Sequence, residues 1–426
     1  MTPLAIGSIS LGLVVVLIAL RIPIAMALLG VSVGGIWMIL GERPALGVLT
    51  TVPYHFAANW TLSSVPMFLF MGYVAFHSGL TSNLFRAARA WLSWLPGGLA
   101  IASIFGSGGF ASVTGSSVAC AAAMGRIAVP EMHKSGYNLG MATGAIAAGG
   151  TLGALIPPSI LLILYGIQSQ VSITALFLGG LLLGGVTIAA YVLVILIAAW
   201  TRPDMFPRAP AVEKGERLRS LIDIWPTLLL VFLIFGGLFS GVFTATEAGA
   251  TGAMLTVALG FARRSLSIDA LKQSLLDTVL SSASVFIIAV AANAFTRLIA
   301  LSGLSMALGG WIGDLGVSAF VLLLVISLVY VFLGMFLEPI GAMLLTLPLV
   351  LPLLGAQGIE FLWFGILLAK LLEIGMITPP VGLNIFVIHS VVRDSVRLET
   401  IFYGAAAFVA ADVVLVVAMI LTRGWF

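Results

Sequence analysis

Hydrophobic positions in this chain come in long blocks. Leu4–Leu20, Ile24–Leu40, Ile173–Trp200, Leu221–Gly241 and Val317–Leu337 are almost unbroken apolar stretches. Each is near or above the roughly 20 residues that cross a hydrocarbon core as helix. Outer-membrane barrels show alternating segments of about ten residues instead, so the pattern predicts an all-α polytopic membrane protein. About eleven transmembrane helices are expected, together with two regions that do not read as simple spans. Leu4–Leu20 has no basic segment before it and no small-residue cleavage site after it, so it is the first span and not a signal peptide.

Composition agrees with the blocks. The chain is 61% hydrophobic and 8% charged, whereas soluble domains carry about 25% charged residues. Too few charges remain to build a water-facing surface, so most of the surface faces membrane lipid. The net charge of +3 matters less than its placement. Thr201–Ser220 carries Arg202, Arg208, Lys214, Arg217 and Arg219, and Arg263, Arg264 and Lys272 follow two spans later. Arg21 follows the first span, and Arg86 and Arg89 the third. Basic loops mark the cytoplasmic side. All of these fall inside if the N-terminus is outside, with Glu42 and Arg43 also outside. The Thr201–Ser220 stretch then reads as a cytoplasmic linker (201–220) between two halves, 1–200 and 221–426.

The halves resemble each other. A shift of 222 residues places Pro130 on Pro352, Gly136 on Gly358, Gly153 on Gly375, and Pro157-Pro158 on Pro379-Pro380. A shift of 224 places Ser78-Gly79-Leu80 on Ser302-Gly303-Leu304. The charge map puts those last two segments on opposite faces, which predicts an inverted-topology repeat, a recurring plan of secondary transporters.

Two kinds of segment interrupt the spans in each half. Gly106–Ser117 is rich in Gly, Ser and Thr and has no charge. It predicts a re-entrant helical hairpin over 90–130 that turns at Ser112–Ser116. Close helix packing by small residues is the competing reading. In the second half, Glu338-Pro339 inside a long apolar stretch predicts the matching hairpin over 317–354. Proline disfavours helix at the residue before it, and an ionisable residue at membrane depth is a functional candidate. Glu338 can equally cap the second half-helix. The other pair comprises Gly149–Ser159 and Ile374–Asn384, where Pro157-Pro158 and Pro379-Pro380 predict broken helices over 138–166 and 361–392. Freed carbonyls there suit a small cation, and half-helix N-termini suit an anion. Simple kinks without a ligand are the alternative. Thr151, Ser159, Thr378 and Asn384 are the local polar side chains.

Other residues narrow the chemistry. Thr244-x-x-Glu247 reads as a capping box. Lys370 and Glu373, three apart, read as an internal ion pair. Asp412 stands alone in the last apolar run and is a possible coupling residue. Arg297 is placed to snorkel to the outer surface. Cys120 is the single cysteine, so no intrachain disulfide can form. The histidines show no metal spacing, and the Gly-rich stretch lacks the Lys of a nucleotide-binding loop. Nothing points to an enzyme, to nucleotide or to nucleic acid.

Gly109–Ala119, Ile127–Met132 with Gly136-Tyr137, Gly149–Ser159, Phe243–Ala248 and Ile377–Asn384 together resemble the large membrane subunit of TRAP (tripartite ATP-independent periplasmic) transporters. The resemblance covers essentially the whole chain. It implies a multi-pass protein of the bacterial inner membrane with a periplasmic N-terminus. Its partners would be a small four-helix membrane subunit and a periplasmic substrate-binding protein that delivers a carboxylate-bearing solute. Uptake would be driven by Na+ through an elevator-like movement. One sodium site is implied at Ser112, Thr114, Gly115 and Ser116 with Thr151 and Gly153. A second is implied at Glu338, Pro339 and Gly341 with Gly375, Ile377 and Thr378. The solute is implied near Ser116, Ser117, Pro157, Pro158, Pro379, Pro380 and Asn384. Arg126 departs from the family pattern, which has a small or apolar residue there. The rivals are a stand-alone sodium-coupled dicarboxylate or other anion symporter, a channel, and an intramembrane enzyme.

Overall fold

The structure is a computed structural model that describes residues 1–207, 215–392 and 396–423. Arg208 and Lys214 of the expected linker lie outside the described residues. The described residues form nineteen α-helices and no strand. Seven of these helical segments are long and apolar enough to cross a membrane.

The first half opens with α1 (Pro3–Ala19) and α2 (Ile24–Leu40), which follow the first two apolar blocks. Next come α3 (Glu42–Ala57), a single 3-10 turn, and α4 (Ser64–His77). Then α5 (Leu80–Leu92) carries its charge on one face. Helices α6 (Gly98–Thr114) and α7 (Ser117–Lys134) form the first hairpin, and α8 (Leu139–Leu155) and α9 (Ile160–Ser169) form the first broken helix. The half closes with α10 (Ile173–Thr201).

The second half repeats the order. It runs through α11 (Glu216–Phe239), α12 (Ala245–Ala262), α13 (Ile268–Ser302) and α14 (Leu304–Asp314). The hairpin is α15 (Ala319–Phe336) and α16 (Pro339–Ala356), the broken helix is α17 (Phe361–Met376) and α18 (Leu383–Val392), and α19 (Leu398–Leu421) follows. Helices α7 and α16 are both 18 residues long and start at 117 and 339. Helices α9 and α18 are both ten residues long and start at 160 and 383. Pro130 and Pro352 sit inside α7 and α16 at matching positions. The one departure in pattern is α13, a single 35-residue helix in place of the α3–turn–α4 unit, which Asn59 interrupts by capping the intervening turn.

Two differences from the sequence reading concern boundaries. Helix α11 begins at Glu216, inside the stretch expected as linker, because Glu216 is held by Arg89 of α5. The first hairpin runs to Lys134.

The hairpins meet head to head. Both tips, Gly115–Val118 and Glu338–Ile340, line one small cavity. Among the described residues the arms of one hairpin do not pack along the arms of the other. Hairpins that touch only at their tips approach from opposite directions, which is what an inverted repeat requires.

Lipid removes the hydrophobic drive for helix association, so close packing of small residues takes over. The apolar stretch of α8–α9 is buried throughout and lies at the centre. Helix α8 is mostly Gly and Ala, so neighbours reach its backbone. Gly144 lies against the backbone of Gly404 in α19, where a Cβ would come within 2.2 Å, and a Cβ on Gly404 would come within 1.8 Å of the Gly140 carbonyl. Around this centre, α10 and α15 expose large apolar side chains such as Leu182, Leu193, Leu328 and Phe332. On the face marked by basic residues, Arg89 bridges Glu131 of α7 and Glu216 of α11. The Arg217 Nε–H there donates to the Ala90 carbonyl at 3.2 Å. The capping box at α12 is formed in both directions. Arg297 is surface-placed, with Nη1 3.4 Å from Thr51 Oγ1.

Inversion has a direct test. Ser78 and Ser302 are buried, so the next equivalent pair, Ser82 and Met306, is the better probe. Single cysteines there, in a Cys120→Ala background, are expected to react with an impermeant thiol reagent from opposite sides of the membrane. Reaction from one side for both excludes inversion.

Candidate functional site

The first hairpin tip is built by residues that end one helix and start the next. Gly115 takes the left-handed conformation with φ +63°. Ser116 then caps α7, its Oγ accepting from the Ala119 N–H at 3.4 Å. Ser112 and Thr114 donate back to the Gly109 and Phe110 carbonyls. The tip presses on the first break. A Cβ on Gly115 would stand 2.0 Å from the Pro158 carbonyl oxygen, and one on Gly153 would stand 2.6 Å from the Ser116 backbone. Ser117 Oγ donates to the Thr151 carbonyl at 3.2 Å. Backbone therefore meets backbone here, with no side chain between.

The second half uses the same device with different chemistry. Glu338 caps α16, its Oε2 accepting from the Gly341 N–H at 3.1 Å, and Pro339 follows at the first helical position, where its missing N–H costs nothing. Gly375 lies against Gly334, where a Cβ would be 2.5 Å from backbone. Gly334 aligns with Ser112 at the 222-residue shift, a relation that could have singled it out in the sequence.

Both breaks free carbonyls. Pro157 and Pro158 have no N–H, so the carbonyls of Gly153 and Ala154 lose their helical donors. The Ser159 hydroxyl replaces one by donating to Ala154, leaving Gly153 without. Pro379 and Pro380 likewise strip Gly375 and Met376. The Thr378 N–H donates to Gly375 at 3.2 Å, leaving Met376 without, and Thr378 Oγ donates to Ile374 at 2.6 Å. The Pro157-Pro158 and Pro379-Pro380 peptide bonds are both cis.

The structure brings Gly115, Ser116, Ser117, Glu338 and Pro339 together around one void of about 60 Å³ with Met376. That is well below the roughly 300 Å³ at which small-molecule sites begin. It leaves others apart from that void. Pro157 and Pro158 are buried beside the first tip, whereas Pro379 and Pro380 are exposed. Ile377 is buried and Gly341 lies one turn into α16 against Ile24. Asn384 is buried against α8, its Nδ2 donating to the Ala147 carbonyl at 3.4 Å, and its Oδ1 has no partner among the described residues.

Asp412, alone in its apolar run, finds its partners on other helices. Lys370 Nζ lies 2.7 Å from Asp412 Oδ1, close as an ion pair though not aligned as a hydrogen bond. Lys370 also lies 3.3 Å from Glu373 Oε2. The Tyr191 hydroxyl donates to Asp412 Oδ2 at 2.7 Å and lies 3.5 Å from Thr151 Oγ1. All three charged side chains are fully buried. The cluster joins α17 and α19 to α10 and α8, and so links the two broken helices. Tyr191 gave no signal in the sequence, since a tyrosine in an apolar run is ordinary.

A centre of opposed hairpin tips and broken helices, walled by apolar helices, defines a secondary transporter of the inverted-repeat class. More narrowly, the chain belongs to the DctM component of the tripartite ATP-independent periplasmic transporters, whose family pattern matches residues 11–425. It is 33% identical over 367 residues to the C4-dicarboxylate TRAP transporter large permease protein DctM of Pseudomonas aeruginosa, covering 85% of this chain and 84% of that one. It is 30% identical to the sialic acid TRAP transporter large permease protein SiaM of Vibrio cholerae, covering 78% of each. In fold it resembles the YdaH transporter of Alcanivorax borkumensis, with a TM-score of 0.66, 16% identity and 90% of each chain covered. The chain is a transport protein of the membrane and not an enzyme.

Two substitutions test the geometry. Gly153→Ala forces a Cβ into the Ser116 backbone and is expected to cost roughly 1–3 kcal/mol by overpacking, read as a lowered melting temperature in detergent. Gly236→Ala, which meets nothing within 4 Å, is expected to be neutral or to stabilise by up to about 1 kcal/mol. Equal effects at both sites exclude the tip–break contact. Separately, Lys370→Met strands two buried carboxylates and is expected to destabilise by about 3–5 kcal/mol. Adding Asp412→Asn to it should recover part of the loss, and a Lys370→Met protein as stable as its parent excludes the buried ion pairing.

Proposed function

We propose that this chain is the permease through which a carboxylate-bearing solute enters the cell on a sodium gradient. A periplasmic binding protein hands the solute over, and a small four-helix membrane subunit completes the assembly. The N-terminus is periplasmic on this reading. The observation that carries it is the duplicated tip-against-break contact, which holds the Gly153 and Met376 carbonyls without helical donors at membrane depth. Carbonyl oxygens left unpaired in a low-dielectric interior favour a small cation. The two named permease relatives bear on the solute, since C4-dicarboxylates and sialic acid both carry carboxylates. The hairpin and broken helix of each half would travel together as the moving body of an elevator, with α5 and α14 as the connecting arms.

The test is uptake into proteoliposomes holding this chain and its two partners, with labelled succinate as the first probe and sialic acid as the second. Uptake is expected only with an inward sodium gradient, and only when the binding protein is present. Full uptake with potassium in place of sodium, or a need for ATP, excludes sodium coupling. Uptake without the binding protein selects the stand-alone symporter. Pro157→Ala and Pro380→Ala each return an N–H to one orphaned carbonyl. A hydrogen bond worth about 0.5–1.5 kcal/mol should raise the sodium concentration at half-maximal rate by roughly three- to tenfold. Unchanged sodium dependence in both variants removes these carbonyls from the cation sites.

A further inference from the structure

A second void adjoins the hairpin tip and is large enough for a solute. It measures about 410 Å³ and lies between α7, α6, α4 and α13, within the roughly 300–1,000 Å³ of small-molecule sites. Its inner end is Thr114 and Ser116, and Ser116 also lines the small cavity between the tips. Gly72 closes that end, since a Cβ there would stand 2.8 Å from the Thr114 Cα. The wall on α7 is Ala119, Ala122, Ala123 and Arg126. These recur every three or four positions, so they form one helix face that runs about 15 Å from Ser116 to Arg126.

Among the described residues Arg126 is the only cation on the lining, and no carboxylate lines the void. Among the described residues it forms no ion pair, whereas the neighbouring Arg89 holds two carboxylates. The opposite wall is Tyr73 and Ser281, whose hydroxyls pair at 2.6 Å. The nearest acid on α13, Asp277, is one turn away and is occupied by His77 at 2.9 Å and by Gln273 at 2.9 Å. Arg126 is exposed at the rim of the void, whose walls otherwise carry hydroxyls, small side chains and the aromatic rings Phe76 and Phe110.

We propose that this void is an anion-binding vestibule in which the Arg126 guanidinium takes up a carboxylate released from the hairpin tip. Arg126 is exposed on the arm of α7 that leads back from the tip to the Arg89–Glu131 pair, on the side that the charge map makes cytoplasmic. The inference rests on the carboxylate solute proposed above. A guanidinium offers a carboxylate two parallel N–H donors, and the small residues of α7 leave a path for the solute to slide along.

The test reads the charge of the void and needs no knowledge of the carried solute. Ala122 lines the void and is partly accessible. A cysteine at Ala122 in a Cys120→Ala background, in the assembled transporter, is modified from the cytoplasmic side with three methanethiosulfonates: anionic sulfonatoethyl, cationic trimethylammonioethyl and neutral methyl. Arg126→Gln is expected to lower the anionic-to-cationic rate ratio by roughly tenfold, the low end of electrostatic focusing in a cleft, and to leave the neutral rate unchanged. Arg126→Lys should keep most of the ratio. A ratio unchanged in Arg126→Gln, or an equal slowing of all three reagents, overturns the vestibule. A carried solute found in the uptake assay to be neutral would overturn the solute class while leaving this ratio intact, so the two failures are distinguishable.

Discussion

Backbone groups at membrane depth have no water to bond to, and a spanning chain ordinarily answers by staying helical. This chain breaks that rule at four points and holds the breaks together by pressing backbone on backbone. Gly115 and Gly153 bring the first tip against the first break, and in the second half Gly334, in the last turn of α15 before the tip, lies against Gly375 at the second break. Any side chain at these positions would separate the partners by about the width of a methyl group, enough to forfeit much of the dispersion contact. The proline pairs orphan the carbonyls, and these tight contacts hold them beside the hairpins.

The buried Lys370 cluster acts at one remove from the tips. Two carboxylates share one ammonium, and Tyr191 supplies a hydrogen bond to Asp412. Such a set is weak evidence for net stability, because desolvation offsets the attraction. Its value lies in geometry. The cluster sits one to two turns before the Gly375 contact on α17 and beside Thr151 on α8, so a shift of either broken helix is felt by the same charges. The two halves are tied through this polar centre as well as through the tips.

Much of this was legible in the sequence because its causes are local. Apolar blocks fixed the spans, Pro-Pro pairs fixed the breaks, and a shift of 222 residues paired them. The tip at Ser112–Ser116 follows from Gly and hydroxyl residues that can turn and cap. What was not legible depends on contacts distant in sequence. Asp412 looked solitary because Lys370 is 42 residues away, on another helix. Asn384 follows a break, but its place against α8 depends on how α18 folds back. The exposure of Pro379-Pro380 against the burial of Pro157-Pro158 cannot be seen in two identical dipeptides.

The last point concerns how duplicated halves come to differ. Ser116 and Glu338 are equivalent by the 222-residue shift, both cap the second arm of a hairpin, and both line the cavity between the tips. Either side chain satisfies the helix end, so capping alone does not select between them. A carboxylate, however, brings charge into a space where an anionic solute would be repelled. On the sodium-coupled reading that cost becomes useful. A cation held near the second tip offsets Glu338, and the tip then tolerates a solute carboxylate that it would otherwise exclude. The serine tip carries no such condition, and it is the one that opens onto Arg126. On that reading one half would make solute binding depend on the cation while the other would provide the way out, although both rest on close backbone contacts.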